Sequence, residues 1–116
     1  MPYDRGDVIL VLFPHSNLTT ASRRPALVVQ RDNLGTGLAQ SIVAMITSNM
    51  ARRGHPSRVV VQLSSAEGRS MGLHTDSVIM ADNLATILDS EIDRAIGRCP
   101  DMKAVDEALR YTLGLP

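Results

Sequence analysis

Two polar tracts in this sequence hold side chains that could act on a charged substrate. In Arg23-Arg24-Pro25, two cations stand directly before a proline. The proline restricts the backbone of Arg24 to an extended conformation and so fixes the direction in which its side chain points. In Thr47-Ser48-Asn49, two hydroxyls and an amide follow six apolar or small residues. Loops at the mouth of a rigid β-barrel are a usual place for polar chemistry. Each tract alone is more commonly a solvated turn or the polar start of a loop, so both interpretations stay open.

The arginines are concentrated in the first part of the chain, although the formal net charge of the whole sequence is zero. Residues 1–70 contain eight arginines and four acidic residues, whereas residues 71–116 contain four basic and eight acidic residues. A neutral total can therefore conceal a basic face that attracts phosphate. The alternative is a mixed, solvated surface in which the two halves of the chain interleave.

The composition excludes several classes of protein. The chain has 116 residues, of which 44% are hydrophobic and 21% charged, which is typical of one globular domain over residues 1–116. No apolar run approaches about 18 residues and the N-terminus does not resemble a signal peptide, so no membrane association is expected. Cys99 is the single cysteine and can form no internal disulfide, which favours a cytoplasmic location.

Motifs of several common enzyme classes are missing from the sequence. It has no glycine-rich phosphate loop, no dinucleotide-binding G-x-G-x-x-G and no esterase G-x-S-x-G. His15, His55 and His74 have no metal-ligand spacing with one another or with Cys99. Aromatic residues make up only 3% of the chain, which disfavours a nucleic-acid module that relies on base stacking. We therefore expect neither a metal nor an organic cofactor.

Strand patterns come first along the chain and a helical pattern comes last. Short runs rich in branched residues predict strands over residues 8–13, 25–30, 41–46, 58–63, 76–81 and 85–88. Apolar residues from Met102 to Leu113 then fall on one helical face, with Pro100 suited to the first helical position and Gly114 to the C-terminal cap. This order predicts a mainly β fold, a small antiparallel barrel with a C-terminal α-helix packed on it.

Five tracts of the chain occur in the order and at the spacing of the MazF/PemK toxins, and the resemblance covers nearly the whole sequence. It implies an SH3-like barrel of the kind that MazF and CcdB toxins share, a homodimer, and a sequence-specific endoribonuclease that cuts single-stranded mRNA without a metal. It also implies a cognate antitoxin whose flexible acidic segment blocks the RNA groove. The tracts are GDV at 6–8, RPALVV at 24–29, ITS at 46–48, GLHTDSV at 72–78 and LGL at 113–115.

The resemblance also implies roles for individual residues. Arg24 matches the family's catalytic arginine, and Thr47 matches its catalytic threonine. RNA supplies its own nucleophile, the 2′-OH. The protein therefore has to stabilise charge on a five-coordinate phosphorus, a task that suits an always ionised guanidinium fork. The products would be a 2′,3′-cyclic phosphate and a 5′-OH. Residues expected to bind RNA are Arg23, His15, Ser48, Asn49, Arg52, Arg53 and Asp82.

The sequence does not identify the general base. Arginine is a poor proton shuttle at neutral pH, whereas histidine is well tuned for that task. His15 lies in the first loop, where some family members carry a functional histidine, but it is equally suited to a plain surface position. His55, which stands near Arg52 and Arg53, is expected to help hold phosphate, and His74 is expected to pack within its loop.

Two departures from the family pattern leave alternative functions open. Met80 and Ala85 stand where many relatives carry arginine, so the RNA groove should be less basic and should depend on the loop arginines and Arg58. One alternative is a catalytically degenerate barrel that only binds a partner. The other is a non-catalytic, CcdB-like toxin that binds DNA gyrase through the end of its C-terminal helix.

Overall fold

A computed structural model describes residues 3–14 and 21–116 of the chain. Within these ranges the protein is mainly β and ends in an α-helix, as predicted. Two single-turn 3-10 helices lie at Met50–Arg52 and Asp89–Glu91. The strands are β1 (Asp7–Pro14), β2 (Ala21–Val28), β3 (Gln40–Thr47), β4 (Arg58–Val61), β5 (Ser77–Leu88) and β6 (Ile92–Arg98), and the α-helices are α1 (Ala66–Ser70) and α2 (Lys103–Leu113).

The described strands form one antiparallel sheet in the order β4-β5-β3-β2-β1-β6. Successive side chains of a strand point to opposite faces of the sheet, and both faces are buried along the central strands. This explains why the paired central segments, such as residues 8–12 and 26–28, are apolar on both sides. One face packs against α2 through Val8, Leu27, Ala44 and Val105, and the other is formed by Ile9, Val11, Ala26, Val28, Val43, Ile87 and Ile92.

The two strands predicted over residues 76–81 and 85–88 are one long strand, β5. The partner of β3 changes from Leu84 at Ala44 to Met80 at Met45, so residues 81–83 bulge out of the ladder. A bulge bends a strand and directs its side chains away from the regular ladder. The polar sequence within the bulge is what made the two halves look like separate strands.

The edge strand β6 was not predicted, because two arginines and two small residues break its apolar pattern. The segment predicted as a loop over residues 64–72 contains helix α1. Strand β2 begins at Ala21, so Pro25 lies within it and not at its start. Proline is accommodated there because the described pairing of β2 with β3 covers only residues 26–28.

The C-terminal helix begins three residues later than Pro100 suggested, with Met102 as its N-cap residue. Gly114 caps its C-terminus in the left-handed conformation, at φ 67°, as predicted. Crossing a bilayer takes about 20 apolar residues in a helix. Over residues 3–14 and 21–116, no helix combines the length and the apolar character that a membrane span requires.

Candidate active site

The two polar tracts meet where strands β2 and β3 separate. Described pairing between these strands ends at Ala26 and Met45. Continuing the same register by two residues places Arg24 opposite Thr47, on neighbouring strands and at one level of the sheet. Because the ladder ends before this pair, the strands leave a gap at that point. The sequence-distant arginine and threonine are therefore brought to one place by the register of β2 and β3.

Two depressions flank this gap, and Arg24, Ile46 and Thr47 border both of them. The larger, here called the main cleft, has a volume of about 320 Å³. The smaller, here called the side pocket, has a volume of about 300 Å³. A phosphodiester at the shared border could therefore extend one neighbouring nucleotide into each depression. The main cleft is lined by Leu10, Arg23, Arg24, Pro25, Ile46, Thr47, Ser48, Gly72, Leu73, His74, Thr75, Ser77, Arg94 and Ile96, and the side pocket by Arg24, Met45, Ile46, Thr47, Met80, Asn83 and Ala85.

The Thr47 hydroxyl is oriented by its own loop. Its oxygen accepts a hydrogen bond from the backbone N–H of Asn49 at 3.1 Å. A hydroxyl can accept and donate at the same time, so Thr47 keeps its proton for a ligand. The Arg24 side chain is exposed and has no ion pair or hydrogen bond within the described part of the chain. An unpaired guanidinium and a free hydroxyl proton thus face the same space.

Two glycines allow one segment of the cleft wall to lie directly against strand β6. The segment around Met71 and Gly72 approaches Ile96 and Gly97 so closely that a Cβ on either glycine would overlap backbone atoms of the facing segment. Gly72 also has a left-handed φ of 72°, which favours glycine. This backbone contact positions the cleft-lining residues that follow Gly72.

Two further arginines, Arg23 and Arg94, line the main cleft together with Arg24. Asp93 Oδ2 accepts from Arg23 Nε at 3.0 Å and from Arg94 Nη1 at 2.7 Å. Arg94 belongs to the unpredicted strand β6, so sequence patterns did not single it out. Asn83, at the side pocket, was missed for a similar reason, since it lies in the β5 bulge.

Comparison with known proteins decides the family. A family model described as "PemK-like, MazF-like toxin of type II toxin-antitoxin system" matches residues 4–113. The chain belongs to this family.

Relatives of this MazF/PemK toxin include named endoribonucleases. Endoribonuclease MazF6 of Mycobacterium tuberculosis is 34% identical over 107 residues, 90% of each chain. Endoribonuclease EndoA of Bacillus subtilis is 32% identical over 114 residues, 96% of this chain and 94% of the relative. A solved endoribonuclease in complex with its cognate antitoxin, from a mycobacterial species, has a TM-score of 0.76 and 25% identity, covering 98% of this chain and 97% of that one. The predicted family and fold class are confirmed, and the CcdB-like alternative is not favoured.

The toxin's main cleft contains only part of the predicted RNA-binding set. Arg23 and Ser48 line it, together with the predicted catalytic pair. His74 also lines it and is exposed, so the expectation that it packs within its loop was wrong. His15 lies outside the described residues, and its predicted role stays a prediction.

Other predicted RNA-binding residues of the toxin are not among the residues that line the two depressions. The Asn49 side chain caps the Met50–Arg52 turn by accepting from the N–H of Ala51 at 3.1 Å. Arg53 donates to the carbonyl of Met50 at 2.7 Å, and Arg52 is exposed beside it. Contact of these side chains with RNA would require a substrate that extends beyond both depressions.

His55 has local partners that do not involve phosphate. Its Nδ1 lies 2.7 Å from the Ser57 hydroxyl and accepts from the Ser57 N–H at 3.2 Å. Its ring packs edge-on against Tyr111, with ring centroids 5.6 Å apart. His55 therefore joins the loop before β4 to helix α2, and its expected contact with phosphate stays a prediction.

Asp82 and Arg58 bind each other across the β5 bulge. Arg58 Nε and Nη2 donate to the two carboxylate oxygens of Asp82 at 2.9 and 2.6 Å, and Arg58 Nη1 donates to the carbonyl of Arg52 at 2.9 Å. The hydrogen bonds from Arg58 hold the pKa of Asp82 below its ordinary value. This ion pair fastens the bulge to β4. The expected place of both residues in the RNA groove stays a prediction.

We expect this pair to make folding stability depend on acidic pH. A carboxylate with a lowered pKa in the folded state stabilises it above the unfolded pKa of about 3.9, and that contribution is lost as pH falls through the folded value. Asp82→Asn should therefore destabilise the protein at pH 7 and have a smaller effect near pH 3. Urea unfolding at both pH values measures the change in unfolding free energy. Glu107→Gln, which neutralises an exposed carboxylate on α2, is the matched control. An Asp82→Asn effect that is the same at both pH values would contradict the role assigned to this pair.

Proposed function

We propose that this endoribonuclease toxin cleaves single-stranded RNA at the border between the main cleft and the side pocket, with Arg24 and Thr47 as its catalytic residues. The observation that supports the proposal is the register of β2 and β3, which brings Arg24, unpaired among the described residues, and the Thr47 hydroxyl to one gap between the strands. The family and the curated relatives support the reaction class.

In the proposed reaction the 2′-OH attacks the adjacent phosphorus, and the bond to the 5′ oxygen of the next nucleotide breaks. The 2′ proton passes to a base, and the departing 5′ oxygen takes up a proton. The planar fork of Arg24 binds the phosphate oxygens as negative charge accumulates on them. The Thr47 O–H donates to one of these oxygens while the hydroxyl oxygen accepts from the Asn49 N–H. The products are a 2′,3′-cyclic phosphate and a 5′-OH.

The proton acceptor is one of two histidines in this proposal. His15 is the candidate that the resemblance supplies. His74 is supported by its place, because it is exposed at the wall of the main cleft. No carboxylate lines that cleft among the described residues, and imidazole titrates near neutral pH.

The proposed partner of the toxin is a cognate antitoxin with a flexible acidic segment. A solved mycobacterial relative is in complex with its own antitoxin, which supports the same kind of partner here. An acidic segment would complement the three arginines that line the main cleft. The proposal places the toxin in the cytoplasm, where mRNA is available.

The proposed homodimer has a candidate contact area on helix α2. Ala104, Ala108 and Tyr111 of this helix line a groove beside edge strand β4. Ala108 is buried within the protomer, whereas Tyr111 is 59% exposed and borders a groove with the exposed Val60 of edge strand β4. Exposed apolar surface beside an edge strand is consistent with a second copy.

Cleavage of a long RNA in excess EDTA tests the proposal. We expect discrete cuts whose fragments end in a 2′,3′-cyclic phosphate and begin with a 5′-OH. A 2′-deoxy nucleotide on the 5′ side of the cut should abolish cleavage there, because it removes the nucleophile. RNA that stays intact would refute the ribonuclease and favour the partner-binding alternative, and a gyrase supercoiling assay would then test the CcdB-like one.

Two variants of Thr47 show whether its hydroxyl takes part in that cleavage. Thr47→Val keeps the side-chain shape and should lower kcat by about 10²-fold, the usual effect of removing one donor to a developing oxyanion. Thr47→Ser keeps the hydroxyl and is the matched control, with a rate within about tenfold of the parent. Equal rates for the valine and serine variants would remove Thr47 from the reaction.

A further inference from the structure

Arg94 is a third arginine of the main cleft, and it has no part in the reaction proposed above. It lies on edge strand β6, across β1 from Pro25, because Leu10 pairs with both of them. Its side chain is 63% exposed. Side chains alternate along a strand, so Arg94 shares the face of Pro25 and Arg23, while the Arg24 side chain leaves from the other face. All three arginines nevertheless line the main cleft, so an RNA strand that enters this cleft from the Arg24–Thr47 border can meet Arg94.

Asp93 holds Arg94 and Arg23 through a single oxygen. Arg23 uses only its Nε and Arg94 only Nη1 for this contact. A guanidinium carries five N–H donors, so each arginine keeps most of its donors for another acceptor. The side chain of Asp93 is 26% exposed and does not line the cleft, whereas Arg23 is 58% exposed and lines it. An incoming anion would therefore meet the two guanidinium groups before the carboxylate behind them.

A bulge in β6 explains how the carboxylate reaches both arginines. Leu10 pairs with Arg94 and the next residue, Val11, pairs with Ile92, so Asp93 is the extra residue. Bulges direct a side chain to a place that the regular ladder would not allow. Here the bulge brings Asp93 to Arg23, which lies two strands away on β2.

We propose that Arg94 binds a backbone phosphate of the RNA next to the one that is cleaved, and that Asp93 is a positioning residue that fixes Arg94 and Arg23 at the cleft wall. This inference rests on the proposed function, since its ligand is the single-stranded RNA cut at Arg24 and Thr47. The contact recognises the phosphate and not the base, so it affects all RNA sequences alike.

Arg94→Ala tests the phosphate contact. KM for a long RNA should rise about tenfold with kcat little changed, since a hydrogen bond to a charged group contributes roughly that factor. Binding of a 2′-O-methyl RNA, which cannot be cleaved, should weaken equally, and the slope of log Kd against log salt should shrink by about 0.7. Arg98→Ala is the matched control, because Arg98 is exposed on the same strand and pairs with Asp7 away from the cleft.

An Arg94→Ala variant that matches Arg98→Ala in KM and in salt slope would overturn the phosphate contact while leaving the ribonuclease intact. RNA uncut by the parent protein would count against the proposed function instead, and the 2′-O-methyl RNA still tests Arg94 in that case. Asp93→Asn tests the positioning. KM should rise although the variant loses a negative charge near the cleft. A fall in KM would show that Asp93 only reduces the positive potential of the cleft.

Discussion

Replacing Arg24 by alanine should lower kcat for RNA cleavage by about 10²–10³-fold or more, with little change in folding stability. Its guanidinium has no partner in residues 3–14 and 21–116 and borders both depressions, so its donors can bind the oxygens of a five-coordinate phosphorus. Arg24→Lys should recover only part of the activity, because an ammonium keeps the charge but not the planar fork. Single-turnover cleavage of a short RNA at saturating protein measures the chemical step.

Arg53→Ala is the control for this experiment. It removes the same charge from an exposed arginine whose guanidinium donates to its own loop. It should cleave the short RNA at the parent rate and lose affinity only for long RNA. The exposed position of Arg24 predicts a change in unfolding free energy within about 0.5 kcal/mol. A folded Arg24→Ala protein that cuts at the parent rate would disprove the catalytic assignment.

Gly97→Ala should destabilise the fold by about 3 kcal/mol, the upper end of what overpacking costs. Typical domains unfold with only about 5–15 kcal/mol, so this would be a large part of the total. A methyl group on Gly97 would overlap the backbone of Met71, which cannot move aside as a flexible side chain could. Relief requires β6 and the cleft-lining segment after Gly72 to separate. Urea unfolding measures the loss, and RNA cleavage should weaken with it.

Gly54→Ala separates this steric effect from the conformational preference of glycine. Gly54 has a φ of 93°, so alanine is strained there, but apart from its chain neighbours no heavy atom of the described residues lies within 4 Å of the added methyl group. We expect a loss of about 1–2 kcal/mol for that change. If Gly97→Ala unfolded at the same urea concentration as the parent, the close approach of the two backbones would not stabilise the cleft.

The sequence predicted the strands that are buried on both faces, because their apolar runs are continuous. It did not predict β6, whose charged residues make an edge strand look like a loop. The meeting of Arg24 and Thr47 followed from the family resemblance and not from residue patterns, since the register of β2 against β3 is a long-range property. The ion pairs could not be predicted from the sequence either, because Arg23 and Asp93 are 70 positions apart and Arg58 and Asp82 are 24 apart. Local patterns carry no information on which distant charge a side chain will meet.

The size of the main cleft has a consequence for which parts of a transcript the toxin can reach. Its volume of about 320 Å³ is near the lower end of the range for small-ligand sites, about 300–1,000 Å³. A paired stem, with two backbones and stacked bases, is far wider than such a space. Hairpin stems would therefore be spared, and cuts would fall where a transcript is unpaired.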